Sequence, residues 1–229
     1  MQARQSAVAR RCGGLSVVAV LIGLAAGLGP AGALAPAKGA EANAEAAGGV
    51  EAVYRQLVAR TLTERRDLSV EDPVYEGEEL RTGRDGRARI AMADGALLTL
   101  GDEAVLRIDR LVFNPDGGNG AGAFTVLHGA FRMTSGALGA NGAVQVDTPI
   151  ATIGIRGTDF WGYQDGGALS VVLLDDGRVE IETPGGRIVL DEPRDGIVIT
   201  DPAAPLPAEP LVWDEDRIAR AVETIAFPE

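Results

Sequence analysis

The sequence is short of the side chains that most often carry chemistry. It has one cysteine, Cys12, one histidine, His128, and one lysine, Lys38. A lone cysteine forms no disulfide within its own chain, and one His with one Cys leaves thiolate zinc sites and dithiol redox chemistry without a ligand set. A nucleophile also needs a positioned base, most often histidine, and His128 is followed at once by Gly129 at the end of an apolar run. It reads as structural or solvent-facing. No Gly-rich phosphate loop precedes a helix, so nucleotide binding has no support. Basic residues are too few for a phosphate backbone: 21 Lys and Arg stand against 33 Asp and Glu, a net charge of −12. That balance argues against nucleic acid as a partner. Aromatic residues are only 4% of the chain, so a core must be filled by Val, Ile, Leu and Ala.

The first residues read as an export address. Arg4, Arg10 and Arg11 give a basic start, Leu15 to Leu28 an uncharged apolar stretch, Pro30 a break, and Ala31-Gly32-Ala33 a small-residue exit. This is the order of a secretory signal peptide, with residues 1–33 removed. Its apolar part is shorter than the roughly 20 residues of a membrane span. The expected location is therefore periplasmic or secreted, with no span after cleavage. The alternative is an inner-membrane anchor formed by an uncleaved segment. Cys12 precedes the apolar stretch and so cannot be an acylated lipoprotein cysteine.

Residues 34–229 divide into a flexible leader and first element (34–59), a β domain (60–200), and a Pro-rich linker with a C-terminal helix (201–229). Residues 50–66 are ambiguous: Val50, Val53, Tyr54, Leu57 and Val58 fall at i, i+3, i+4, i+7 and i+8, which is the spacing of an amphipathic helix. From about Asp67 to Thr200 short alternating runs take over, separated by Gly, Asp, Asn and Pro. Ala88, Ile90 and Met92 alternate with Arg87, Arg89 and Ala91, and Asp94-Gly95 signals a two-residue type I′ hairpin. Asp175-Asp176-Gly177 signals a second hairpin between Leu169–Leu173 and Val179–Ile181. Roughly ten strands at roughly 8–12-residue spacing predict an all-β fold of two packed sheets. Near the C-terminus, Asp214 is placed as the N-cap of a short helix, with Trp213 and Ile218 as a hydrophobic staple. That helix either covers an open end of the sandwich or docks another protein.

Two candidate sites follow. Asn114, Asp116 and Asn119 offer oxygen ligands for calcium, but their spacing fits neither an EF-hand nor a calcium-binding nonapeptide, and turn chemistry explains them. No metal or other cofactor is expected. The second site is the run Asp147 to Phe160. Gly154 and Gly157 bracket Arg156, and glycine inside a strand marks a bulge or a close backbone approach. Arg156 is either a tie that holds carbonyls at a sheet corner or the anchor of an anion groove. Trp161 and Tyr163 alternate with Phe160 and Gly162, so both rings could line that groove.

The segment TPIATIGIRGTDF resembles the signature of FecR-type domains, and it carries Thr148, Pro149, Gly154, Arg156, Gly157, Thr158 and Phe160. VYEGEELRTG (Val74–Gly83), ARIAMADGALLTLGDEAVLRID (Ala88–Asp109), LHGAFRMTSG (Leu127–Gly136) and VVLLDDGRVEI (Val171–Ile181) are similar to other parts of the family in the same order. The resemblance covers about Arg60 to Thr200. It implies a jelly-roll-like β-sandwich in an exported protein. Name-giving members span the inner membrane, bind the signalling domain of an outer-membrane iron transporter and control a sigma factor. Here only Met1 to Arg11 precede the apolar stretch, and a Pro-rich tail with one helix follows Thr200. The expectation is therefore a stand-alone, non-enzymatic domain that acts by protein–protein contacts in the envelope, in signal perception or transmembrane signalling. The alternative is a small-ligand or glycan-binding module built on Arg156, Trp161 and Tyr163.

Overall fold

The computed structural model describes residues 45–113, 120–140 and 144–228. The signal-peptide reading of 1–33, Cys12, most of the leader and the calcium candidates Asn114, Asp116 and Asn119 lie outside the described residues. The elements are β1 (Gly48–Tyr54), β2 (Leu57–Arg60), β3 (Arg65–Leu68), β4 (Pro73–Val74), β5 (Glu79–Thr82), β6 (Arg87–Met92), β7 (Leu97–Leu100), β8 (Val105–Val112) and β9 (Ala121–Thr134). There follow α1 (Ala137–Ala140), β10 (Val144–Asp147), β11 (Thr152–Arg156), β12 (Asp159–Asp165), β13 (Ala168–Leu173), β14 (Arg178–Thr183), β15 (Gly186–Leu190), β16 (Asp195–Ile199), β17 (Leu211–Val212) and α2 (Glu215–Glu223).

The strands form two sheets, one antiparallel and one mixed, in a sandwich-like, almost all-β fold, as the alternation predicted. The front sheet runs β4-β1-β6-β7-β9-β12-β13-β16-β17. The back sheet runs β3-β2-β5-β8-β9-β10-β11-β14-β15. All pairings are antiparallel except β9 with β10. The long strand β9 serves both sheets: up to His128 it pairs in the back sheet, and from Gly129 in the front. Gly129 turns it at φ 91°, and a Cβ there would stand 2.6 Å from the Cα of Ala104. Glycine is required at that crossing on both counts.

The core between the sheets is aliphatic, with Phe124, Phe131 and Phe160 as its large members. In β6 the burial follows the pattern read from sequence, with Ala88, Ile90 and Met92 inward. After β9 the hairpins β10–β11, β12–β13, β14–β15 and β16–β17 are laid alternately on the back and front sheets, like a roll. There are more strands than the roughly ten expected, because β2 to β5 and β17 are pieces of two to four residues.

Three local expectations are corrected. Residues 50–66 are strands, not a helix. A bulge between Val50 and Ala52 adds one residue to the two-residue period, and Arg55 at φ 64° makes the corner into β2. Bulge and corner together turn a strand pattern into three- and four-residue spacings. The turn at Asp94-Gly95 is not type I′, since only Gly95 has positive φ. Gly95 donates to the carbonyl of Met92 and Met92 to that of Ala96, which is a type I turn closed by a glycine bulge. Finally, Asp175-Asp176-Gly177 does not close a hairpin: β13 pairs with β12 and β16, and β14 with β11 and β15. That turn carries the chain from the front sheet to the back.

Candidate functional site

The signature residues are spread along one continuous path and do not converge on a pocket. At its start, the Thr148 hydroxyl accepts from the amides of Ile150 and Ala151 and donates to the Ala151 carbonyl, closing a turn with Pro149 exposed at its tip. Strand β11 then runs without a bulge. The nearest atom to a Cβ at Gly154 would be 3.9 Å away, so neither a bulge nor a close approach explains that glycine. Gly157 does need its freedom, at φ 54°. The close approach occurs instead at Gly177, where a Cβ would run into the Gly157 carbonyl.

Arg156 is not a tie. Its side chain is exposed and makes no hydrogen bond or ion pair among the described residues. It sits on the outer face of the back sheet, directly across from Arg178. Like charges opposed in this way are mildly destabilising. Nor does it share a groove with Trp161 and Tyr163, which project from the outer face of the front sheet.

The tie is made by a different arginine. Arg132 on β9 donates from Nε to Asp159 Oδ1 at 2.8 Å and from Nη2 to Oδ2 at 2.5 Å. Trp161 stands opposite Arg132 in the ladder, so Asp159 is its diagonal neighbour on the same face. These hydrogen bonds, opposed by desolvation, raise the Arg132 guanidinium above its ordinary range. Next to this pair, the Thr158 amide donates to Ser135 Oγ at 3.0 Å, and its hydroxyl donates to the Asp175 carbonyl at 3.2 Å. Phe160 lies fully buried, edge-on to Phe131 with centroids 5.8 Å apart. So Thr158, Asp159 and Phe160 join β9, β12 and the 175–177 turn. The sequence signal was present in the GAFR and RGTDF fragments, but nothing in either fragment says which arginine meets which aspartate.

The other arrangement of interest lies around α2. Asp214 Oδ1 accepts from the Arg217 amide at 2.7 Å, so it caps the helix as the sequence indicates. The helix does not close an end of the sandwich. It lies over the outer face of the front sheet, where Trp161, Val172, Ala130, Trp213, Ala221 and Ile225 form a satellite core. Trp161 Nε1 donates to Thr224 Oγ1 at 3.0 Å. Trp213 lies flat enough on Gly196 that a Cβ there would run into its ring. Arg217 stacks over Trp213 at 3.8 Å from the ring centroid. Beside the helix is a groove of about 270 Å³, bordered by Trp161, Tyr163, Ser170, Trp213, Arg217 and Arg220. Tyr163 stacks on Trp161 with centroids 6.2 Å apart and is 37% exposed. Burial, with smaller contributions from Asp165 and Asp102, raises its phenol above the ordinary range.

His128 is half-buried beside the β9 crossing and makes no side-chain hydrogen bond or ion pair among the described residues. No group of three or more His, Cys, Asp or Glu among the described residues could hold a metal ion. No helix among the described residues is long and apolar enough to cross a membrane.

Comparison with known proteins bears on one stretch of the chain. The family profile described as "FecR protein" matches residues 78–180. No curated protein matches. Two solved structures of a candidate anti-sigma factor from Parabacteroides distasonis ATCC 8503 are similar, with 19% and 20% identity and TM-scores of 0.43 and 0.42. Each comparison covers 53% of this chain and 54% of the other, so the match spans about half the length of either partner. The matched residues run from the edge of β5 into β14, and strands on both sides of them complete the two sheets. Part of this chain, residues 78–180, is thus a FecR-like β-rich module.

Proposed function

We propose that this chain is an exported, non-enzymatic module that works by protein–protein contact in the cell envelope, in the perception or relay of a signal. One observation carries the reading: an outer row of the front sheet with two large hydrophobic side chains is left in solvent. Tyr163, Ser170 and Val198 are cross-strand neighbours, and Tyr163 and Val198 are 37% and 42% exposed. Beside them, Leu211 and Val212 on β17 are 58% and 68% exposed. Strand β17 pairs only with Asp195 and Gly196, so the Ile197–Ile199 edge of β16 has no strand partner among the described residues. Such an edge can accept an added strand from another protein. The export part of the reading rests on the order of basic, apolar and small residues in 1–33.

The test is site-specific photo-crosslinking of the full chain in its own cells. A photoreactive residue at Val198 or Leu211 is expected to give discrete adducts with an envelope protein. The same residue at Arg81 or Glu180, on the outer face of the back sheet, is expected to give none. Equal yields from both faces, or no adduct from the front, overturn the proposal.

A further inference from the structure

The groove beside α2 joins three properties that the exposed row alone does not have. First, it concentrates the residues that dominate binding hot spots. Trp, Tyr and Arg are the types most enriched there, and both tryptophans of this aromatic-poor chain border it, together with Tyr163, Arg217 and Arg220. Trp161 and Trp213 are buried and make a rigid floor, while Tyr163 and Arg220 stand exposed at the lips.

Second, its charge is opposite to that of the protein. Among the described residues, the only charged side chains bordering it are Arg217 and Arg220, on a chain of net charge −12. Neither makes an ion pair among the described residues: Arg217 is held by Trp213, and Arg220 has no side-chain partner. Elsewhere most arginines of the sheets face an acid, as in Arg132 with Asp159 or Arg107 with Asp109. Cations left unneutralised beside an apolar floor favour an anionic occupant.

Third, its size is restrictive. At about 270 Å³ it lies below the roughly 300–1,000 Å³ of clefts that enclose drug-sized ligands. A side chain inserted from a larger partner fits better than a free small molecule. The negative charges of Asp165 and Asp102 act on Tyr163. A uniformly acidic tract would be repelled at that lip, so the favourable position for a carboxylate is the α2 side alone.

We infer that this groove receives an aromatic side chain of a partner peptide whose neighbouring carboxylate pairs with Arg217 and Arg220. The inference rests on the contact role proposed above and names the chemistry of the partner. It also reaches beyond the FecR-like stretch, since Trp213, Arg217 and Arg220 lie outside residues 78–180.

The tryptophans make the groove its own reporter. The full chain is titrated, with intrinsic fluorescence as the signal, against three octapeptides of Ser and Gly around a central Phe. They differ only in the residue two positions from the Phe, which is Glu, Gln or Lys. The Glu peptide is expected to bind about tenfold more tightly than the Lys peptide at low salt, with the gap narrowing as salt screens the charges. Arg220→Glu is expected to reverse that order. Because Arg220 has no partner inside the protein, this variant keeps its fold, which circular dichroism checks. Tyr163→Ala should weaken all three peptides. Equal binding of the three, no binding by any, or no change of order in Arg220→Glu overturns the inference. Self-association abolished by Arg220→Glu overturns it in favour of a second copy of the chain. If the peptides fail while crosslinks from Val198 and Leu211 persist, the groove inference falls and the contact role stands. If the peptides discriminate but no crosslink forms, the exposed row falls and the groove stands.

Discussion

The two outer faces of the sandwich are built on opposite terms. On the back sheet many outward positions are charged, and most of these pair along or across strands. Arg81 meets Glu79, Arg65 meets Asp67, Arg107 meets Asp109, and Arg187 meets Glu180 and Glu182. Exposed pairs of this kind contribute about 0–1 kcal/mol each, and they keep the face solvated. On the front sheet the outward row Trp161–Val172–Gly196 is apolar and needs a cover, which Trp213 and α2 supply. The next row, Tyr163–Ser170–Val198, has the same character but no cover: Val172 is 0% exposed and Val198 42%. One face is finished by charge, the other only in part by packing. The unfinished row is where a partner gains most by binding.

The sharpest way to break this contrast is Trp161→Ala. It removes the ring that links β12, Trp213 and Thr224, and should cost about 3–5 kcal/mol in urea unfolding. Arg107→Ala on the back face should cost under about 1 kcal/mol. Similar losses at the two sites would mean that α2 adds little to the stability of the front sheet.

A double-mutant cycle over Arg132→Ala and Asp159→Ala should give the next largest effect. Asp159 is mostly buried, its side chain 14% exposed, and both guanidinium hydrogen bonds are well formed. A coupling of about 1.5–3 kcal/mol is expected for a charge-assisted pair in such a place. The same cycle over Arg107 and Asp109, both more exposed, should fall below about 1 kcal/mol. A weaker coupling at Arg132 than at Arg107 would remove it as the tie between β9 and β12.

These pairs also mark how far the sequence could be read. Alternation in Arg87–Met92 places the inward residues correctly, because a half-buried strand imposes a period of two. The helix cap at Asp214 was legible for a similar reason, since capping depends on residues three apart. Residues 50–66 misled because a bulge and a corner alter the period without any glycine or proline to announce them. The Asp-Asp-Gly turn misled because a turn signal states that the chain reverses, not which strand it meets next. Arg156 misled most. The choice between Arg132 and Arg156 as the tie depends on which strands become neighbours, and that pairing joins residues 27 apart in sequence. Of the groove beside α2 the sequence shows only that Trp161 and Tyr163 share a face; Arg156, expected beside them, lies elsewhere, and Arg217 and Arg220 reach the groove only because α2 folds back onto that face.

Arg156→Ala should have a small effect of unusual sign. With no partner to lose and Arg178 directly opposite, the change relieves a like-charge pair. Thermal unfolding should be unchanged or shift upward by a few tenths of a kcal/mol. A loss above about 1 kcal/mol would restore Arg156 as a structural tie and place a buried contact on the back face.

The smallest expected effect lies at Tyr163 and concerns pH. Burial first, then Asp165 and Asp102, disfavour the phenolate, so the folded-state pKa stands above that of the unfolded chain. A raised pKa contributes stability that is complete below the unfolded value of about 10 and is lost as pH rises through the folded value. Because the ring is 37% exposed, solvent screens much of this contribution. The chain should therefore lose slightly more stability than Tyr163→Phe as pH rises through and above about 10, while the two run parallel at lower pH. If occupancy of the groove buries the phenol further, a bound peptide should widen that difference. A difference that stays the same with and without peptide would place the phenol outside the contact, and would confine the binding surface to the tryptophans and α2.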